Sequence, residues 1–160
     1  EGPNSAIART ALKAIGNIAL DDTTLAAVGD AAAGTYMAAS YFMTDTSEGN
    51  KAFLAALKAK YGDNMKAQGY LSEPAYDGVH LYALAVNKAG TTETSAVLKA
   101  LSEVEFTKSP KGTIRLTPDR HAAMPIFIAE AQGDGTYAVA ESLGVQEAPR
   151  QCDPTPAFDK

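Results

Sequence analysis

Residues 75–90, AYDGVHLYALAVNKAG, limit what this chain can fold into more than any other stretch. Tyr76, Val79, Tyr82, Ala83 and Val86 recur at helical spacing, which predicts an amphipathic helix over 75–89 with one broad apolar face. Pro74 stands where a helix start loses nothing by lacking an N–H, and Gly90 where a left-handed residue ends a helix without strain. A second, short helix follows, capped by Thr91 or Thr92, with Ala96, Val97, Ala100 and Leu101 inward. Phe106 comes next, and then a turn of Ser109, Pro110 and Gly112 leading into a strand, TIRL.

The flanking segments alternate in the same way. Asn4 or Ser5 can cap a first helix to about Ala14, which Gly16 ends, and GNIAL reads as a strand end. Asp22 is the expected N-cap of a short helix, TTLAAVG, closed by Gly29. TYMAASYF, between Gly34 and Asp45, reads as a buried strand. Thr46 or Ser47 should cap the next helix, with Phe53, Leu54, Leu57 and Tyr61 on its core side and Lys51, Lys58 and Lys60 in water. Near the end, MPIFIAEA and TYAVAES flank GDG, a strong hairpin signal. Alternating helices and strands argue for α/β layering.

A length of 160 residues suits one domain with a real core but is short for two. The net charge of −5 and scattered lysines argue against nucleic acid, which needs clustered cations. No apolar run reaches the ~20 residues of a membrane span. The opening EGPNSAIART lacks a basic region followed by an apolar one, so no signal peptide is expected in it. Cys152 is the one cysteine, in a Pro-rich tail, and reads as a tolerated tail residue or as a bridge to a partner chain or to another part of the same chain.

The ordered set of segments resembles the C-terminal half of type I periplasmic (extracellular) solute-binding proteins of ABC transporters, in the branch that binds amides, urea and branched-chain amino acids. IGNIALDDTTLAAVGDAAAGTYMAASYF, NKAFLAALKAKYG, AYDGVHLYALAVNKAG with TSAVLKAL, and FTKSPKGTIRL with the hairpin at Gly133–Gly135 carry the likeness, over nearly all of residues 4–142. The resemblance implies an α/β fold of Rossmann-like three-layer lobes, present in part, with segments of both lobes and a C-terminal hairpin. It assigns residues 1–40 to lobe II, 41–125 to lobe I, and 126–160 to a return into lobe II and the tail. A complete member is more than twice this long, so a missing N-terminal half or a partner chain is expected to supply the remaining strands.

The function implied is capture of a small polar solute in an interlobe cleft outside the cytoplasm, in the periplasm or at the cell surface with or without a lipid anchor, and delivery to a membrane permease. A ligand-sensing regulator or receptor domain of the same fold is the alternative, and an amidohydrolase-type enzyme a more remote one. By the resemblance, Tyr76 matches an aromatic position that lines the cleft; as a core tyrosine it would read equally well. Asn17 and Ile18 follow Gly16, where amino-acid binders carry a carboxylate for the ligand ammonium. Their lack of charge fits a neutral amide or urea better.

The residues themselves offer little else. Asp77 and His80 sit one helical turn apart, but no GxSxG motif supplies a nucleophile, so no catalytic residue is assigned. His121 lies in a polar loop beside Asp119 and Arg120 and reads as solvated. Two separate histidines and a distant cysteine lack metal-ligand spacing, and GDAAAG lacks the Lys-Ser/Thr of a phosphate loop, so neither metal nor cofactor is expected. Asp21 and Asp22 could reach a cation, with the helix cap the plainer role for Asp22.

Overall fold

The computed structural model describes residues 20–148. Four α-helices and five strands follow in the order α1 (Leu25–Val28), β1 (Tyr36–Ala39), α2 (Glu48–Tyr61), α3 (Glu73–Ala89), α4 (Thr94–Leu101), β2 (Glu105–Ser109), β3 (Gly112–Leu116), β4 (Ala122–Ala131) and β5 (Tyr137–Gln146), with short 3-10 turns at Gly29–Ala32 and Gly62–Asn64. The expected first helix, Gly16 and the Pro-rich tail with Cys152 lie outside the described residues.

Local chemistry accounts for most element ends. Ser47 caps α2 by accepting from the Asn50 N–H. Pro74 sits inside the first turn of α3, where it breaks no bond, and Gly90 closes that helix in the left-handed conformation, its N–H donating to Val86 O. Two expected caps differ. Asp22 does not cap α1: its Oδ1 accepts from the Met43 N–H, and the adjacent Asp21 backbone carbonyl takes the N–H groups of Thr24 and Leu25 instead. For α4 the cap is Glu93 rather than Thr91 or Thr92, because its longer side chain reaches the Ser95 N–H at 2.8 Å.

β4 organises the sheet. One edge of β4 pairs with β5 from Met124↔Gln146 to Ala131↔Tyr137. The other edge is shared, with β3 at the Ala122 end and β1 at the Ala131 end. β2 completes the far side through β3, and every pairing among the described strands is antiparallel. Pro125 has no N–H to give the ladder, and the β4–β5 register shifts between Pro125 and Phe127. β1, β2 and β5 each have one strand neighbour among the described residues.

The apolar core divides along β4. Leu25, Met37, Phe42, Phe127, Ala129 and Tyr137 gather at the Ala131 end. Leu81, Phe106 and Ile114 gather at the Ala122 end with Met124, and Ala85, Val97 and Ala100 seal α3 against α4.

Candidate functional site

The start of α3 concentrates the unusual chemistry. Its buried residues are Glu73, Asp77, Leu81 and Ala85, spaced four apart along one stripe. This corrects most of the expected inward face of Tyr76, Val79, Tyr82, Ala83 and Val86: Val79 is 69% and Tyr82 52% exposed and Ala83 is exposed, while Val86 is half-buried against the core between α3 and α4. The stripe is rotated because the β2–β3 turn presents a cation to it. Lys111 Nζ, on that turn, lies 2.5 Å from Glu73 Oε2 and 2.9 Å from Asp77 Oδ2. Ser109 Oγ donates to the same Asp77 oxygen at 3.0 Å.

Burial makes this network consequential. Glu73, Asp77 and Lys111 are 0%, 3% and 5% exposed. Charges taken out of water are tolerated only when each is closely matched. Here two carboxyls face one ammonium, and Glu73 Oε1 and Asp77 Oδ1 have no hydrogen-bond partner when both groups are ionised. The conflict appears as a proton: burial first, and then the neighbouring Asp77 carboxyl, push the Glu73 carboxyl up to about 7, against the pull of Lys111.

On one flank of the stripe, four rings pack together. Tyr76 lies 4.9 Å from Phe53 of α2 and 4.3 Å from His80, ring centre to ring centre. His80 in turn stacks nearly parallel on Phe106 of β2, at 4.7 Å and 5°. Tyr76 is the outer member, 36% exposed. His80 and Asp77 therefore point to different neighbours, the first into rings and the second to Lys111 and Ser109, and form no acid–base dyad. Across the stripe, a cavity of about 340 Å³ opens between Gly78 and Leu81 of α3, Ile114 and Leu116 of β3, and Met124, with Asp77 and Lys111 in its wall; Tyr76 does not line it.

The second carboxylate group lies at the other core. Asp21 is buried, its Oδ1 accepting from the Thr23 N–H and hydroxyl. Gly69 packs directly on it: a Cβ there would fall 1.9 Å from Asp21 Oδ2. Asp22 Oδ2 is unpartnered, and burial raises its carboxyl to about 6. His121 is half-buried in its loop, its N–H donating to Thr117 Oγ1. Asn17 and Ile18 lie outside the described residues, so Tyr76 alone of the three expected ligand residues is placed.

The model of a protein family described as periplasmic binding protein matches residues 9–136. The chain belongs to that family. A Leu/Ile/Val-binding protein homolog from Brucella abortus is 28% identical over 137 residues, which is 83% of this chain and 34% of that protein. The solved solute-binding protein of an ABC transporter from Rhodopseudomonas palustris, in complex with 3,4-dihydroxybenzoic acid, is 28% identical with a TM-score of 0.74, over 85% of this chain and 38% of that one. A Geobacillus stearothermophilus protein named limonene hydroxylase is 26% identical over 111 residues, only 20% of its length. The chain thus spans about a third of the length of the solute-binding relatives. The family is that of periplasmic binding proteins, and the fold is shared with a solved ABC-transporter solute-binding protein.

Within this periplasmic binding protein, Glu73, Ser109 and Lys111 belong to a buried polar network that sequence reasoning missed. The signal was present as two acidic residues four apart at a helix start, a spacing that places both on one face. Nothing in the sequence tied Lys111, 34 positions beyond Asp77, to that face.

Proposed function

We propose that this chain is part of the solute-binding component of an ABC importer and takes a small polar solute against Tyr76, in the crevice between two lobes. The observation that carries the reading is the ring cluster of Phe53, Tyr76, His80 and Phe106 in a chain of this family. Three of its rings hold the fourth in place while leaving one side open. A rigid aromatic wall with a few polar groups nearby is what small-solute sites require.

The lobe assignment follows the two cores. Residues 25–42 and 127–137 feed one, and residues 81–124 the other. The chain would cross between lobes near residue 40 and again near residue 125, with β4 as a shared strand about which the lobes close. Segments beyond these residues would complete both lobes and most of the ligand contacts. Such a protein would work outside the cytoplasm and hand its solute to a membrane permease.

A thermal-shift screen of the full-length gene product tests this reading. Its panel holds simple amides, urea, branched-chain amino acids and hydroxybenzoates. A ligand of the native state at 100 times its Kd stabilises by about 2.7 kcal/mol. One class should raise the melting temperature in a saturable way. A flat response to the whole panel would count against solute binding of this kind.

A further inference from the structure

We propose that Glu73, Asp77 and Lys111 form a one-proton latch that fastens the start of α3 to the β2–β3 turn, closed while the two carboxyl groups share a proton and strained once it leaves. Geometry is the first support. One lysine bridges two carboxyls that lie on a different element, and all three side chains are out of water. It joins parts of the chain that have no other buried ion pair between them among the described residues.

Charge balance is the second. With both carboxyls ionised the trio carries one net negative charge in a site of low polarity, and two oxygens lack donors. A single proton brings the trio to neutrality and supplies a donor where the unpartnered oxygens have none, Glu73 and Asp77 standing one turn apart on the buried face of the same helix. The elements packed around the trio bring no second cation among the described residues. The segment after β1 brings Ser40 and Tyr41, whose phenol is held neutral by burial and by the carboxylates of Asp22, Glu73 and Asp45. From α2 comes Asn50, already bonded to Tyr41 and to the carbonyls of Met43 and Asp45. The turn adds the neutral Ser109, and His80 on α3 itself is stacked on Phe106.

The sign follows. The folded-state affinity of Glu73 for its proton exceeds that of an ordinary glutamate. The latch therefore contributes in full below the ordinary glutamate range near pH 4.5, and its contribution is lost as pH rises from there through about 7. Tyr76 precedes Asp77 by one residue, so the ring cluster is fastened by the same latch. This inference does not depend on solute binding, and its tests use no solute.

Carboxyl-carbon NMR on the uniformly labelled chain should show one glutamate side-chain carboxyl titrating between about pH 6 and 8, absent from Glu73→Gln and distinct from the aspartate signal of Asp22. In urea denaturation, the folded-to-unfolded ratio of the wild type should fall on the order of a hundredfold between pH 4.5 and 7 relative to Glu73→Gln. Backbone amide protection at residues 73–77, with the intrinsic rise of exchange with pH divided out, should fall over the same window in the wild type. If every glutamate side-chain carboxyl titrates below about pH 5.5, or if Glu73→Gln keeps the wild-type pH slope, the latch is wrong. Should Glu73→Gln fail to fold, the titration of the wild-type chain decides alone.

Discussion

Two glycines on neighbouring helices should respond to alanine in opposite directions. Gly49 lies in the first turn of α2, and a Cβ there would stand 2.5 Å from the backbone oxygen of Ser109, 3.4 Å from its carbonyl carbon and 3.7 Å from Pro110 Cα. Carbon and carbonyl oxygen ordinarily approach no closer than ~3.3 Å, so either α2 or the β2–β3 turn must move by about 0.8 Å. The turn is not free to yield: Ser47 Oγ donates to Pro110 O at 3.0 Å, and Ser109 and Lys111 are held by the carboxyls of α3. Overpacking of this kind costs about 1–3 kcal/mol, against the roughly 0.5–1 kcal/mol that alanine gains over glycine in a helix. Gly49→Ala should therefore destabilise by about 1–2 kcal/mol. At Gly78, in the middle of α3, an added Cβ would meet nothing within 4 Å, so Gly78→Ala should stabilise by about 0.5–1 kcal/mol. Urea denaturation at constant pH reads both, with the two midpoints on opposite sides of the wild type and separated by on the order of 1 M. Midpoints that move in the same direction would refute the close approach of α2 to the turn, and with it the placement of Lys111.

Asn50→Ala should cost roughly 2–4 kcal/mol in the same assay, because it strips partners from Tyr41 OH, Met43 O and Asp45 O together. For Asp22, whose folded carboxyl sits at about 6 against an ordinary 3.8, stability present at low pH is lost as pH rises through that window; Asp22→Asn should flatten melting temperature against pH from about 4 to 6 while keeping the bond from Met43 N–H. Phe106→Ala should cost about 3–5 kcal/mol and return the His80 ring-proton shifts toward those of an unstacked imidazole, read by proton NMR. Unmoved His80 shifts would mean that the stacked pair does not exist in solution.

Elements governed by local rules were legible in the sequence. Ser47 as a cap, Gly90 as a left-handed stop, Phe53 as a core anchor and the GDG hairpin each depend on residues within a turn or two of one another. What depends on a distant partner was not legible. The inward face of α3 was misjudged because apolar periodicity treats Glu73 and Asp77 as wet, and only the arrival of Lys111 from the turn makes them the dry side. Asp22 reads as a cap from its neighbours, but Met43 lies 21 residues away and takes its carboxylate. Tyr76 was singled out by likeness to a family, and its packing against Phe53, His80 and Phe106 joins three elements that no spacing rule connects.

Titration calorimetry on the full-length gene product and its Tyr76→Ala variant, with the solute that the thermal-shift panel selects, tests the central claim most directly. Loss of an aromatic wall from a solute site should weaken binding at least about tenfold, or 1.4 kcal/mol, while the variant still melts cooperatively. Equal affinities in the two proteins would place the solute elsewhere and contradict the assignment of the Tyr76 ring cluster as its binding wall.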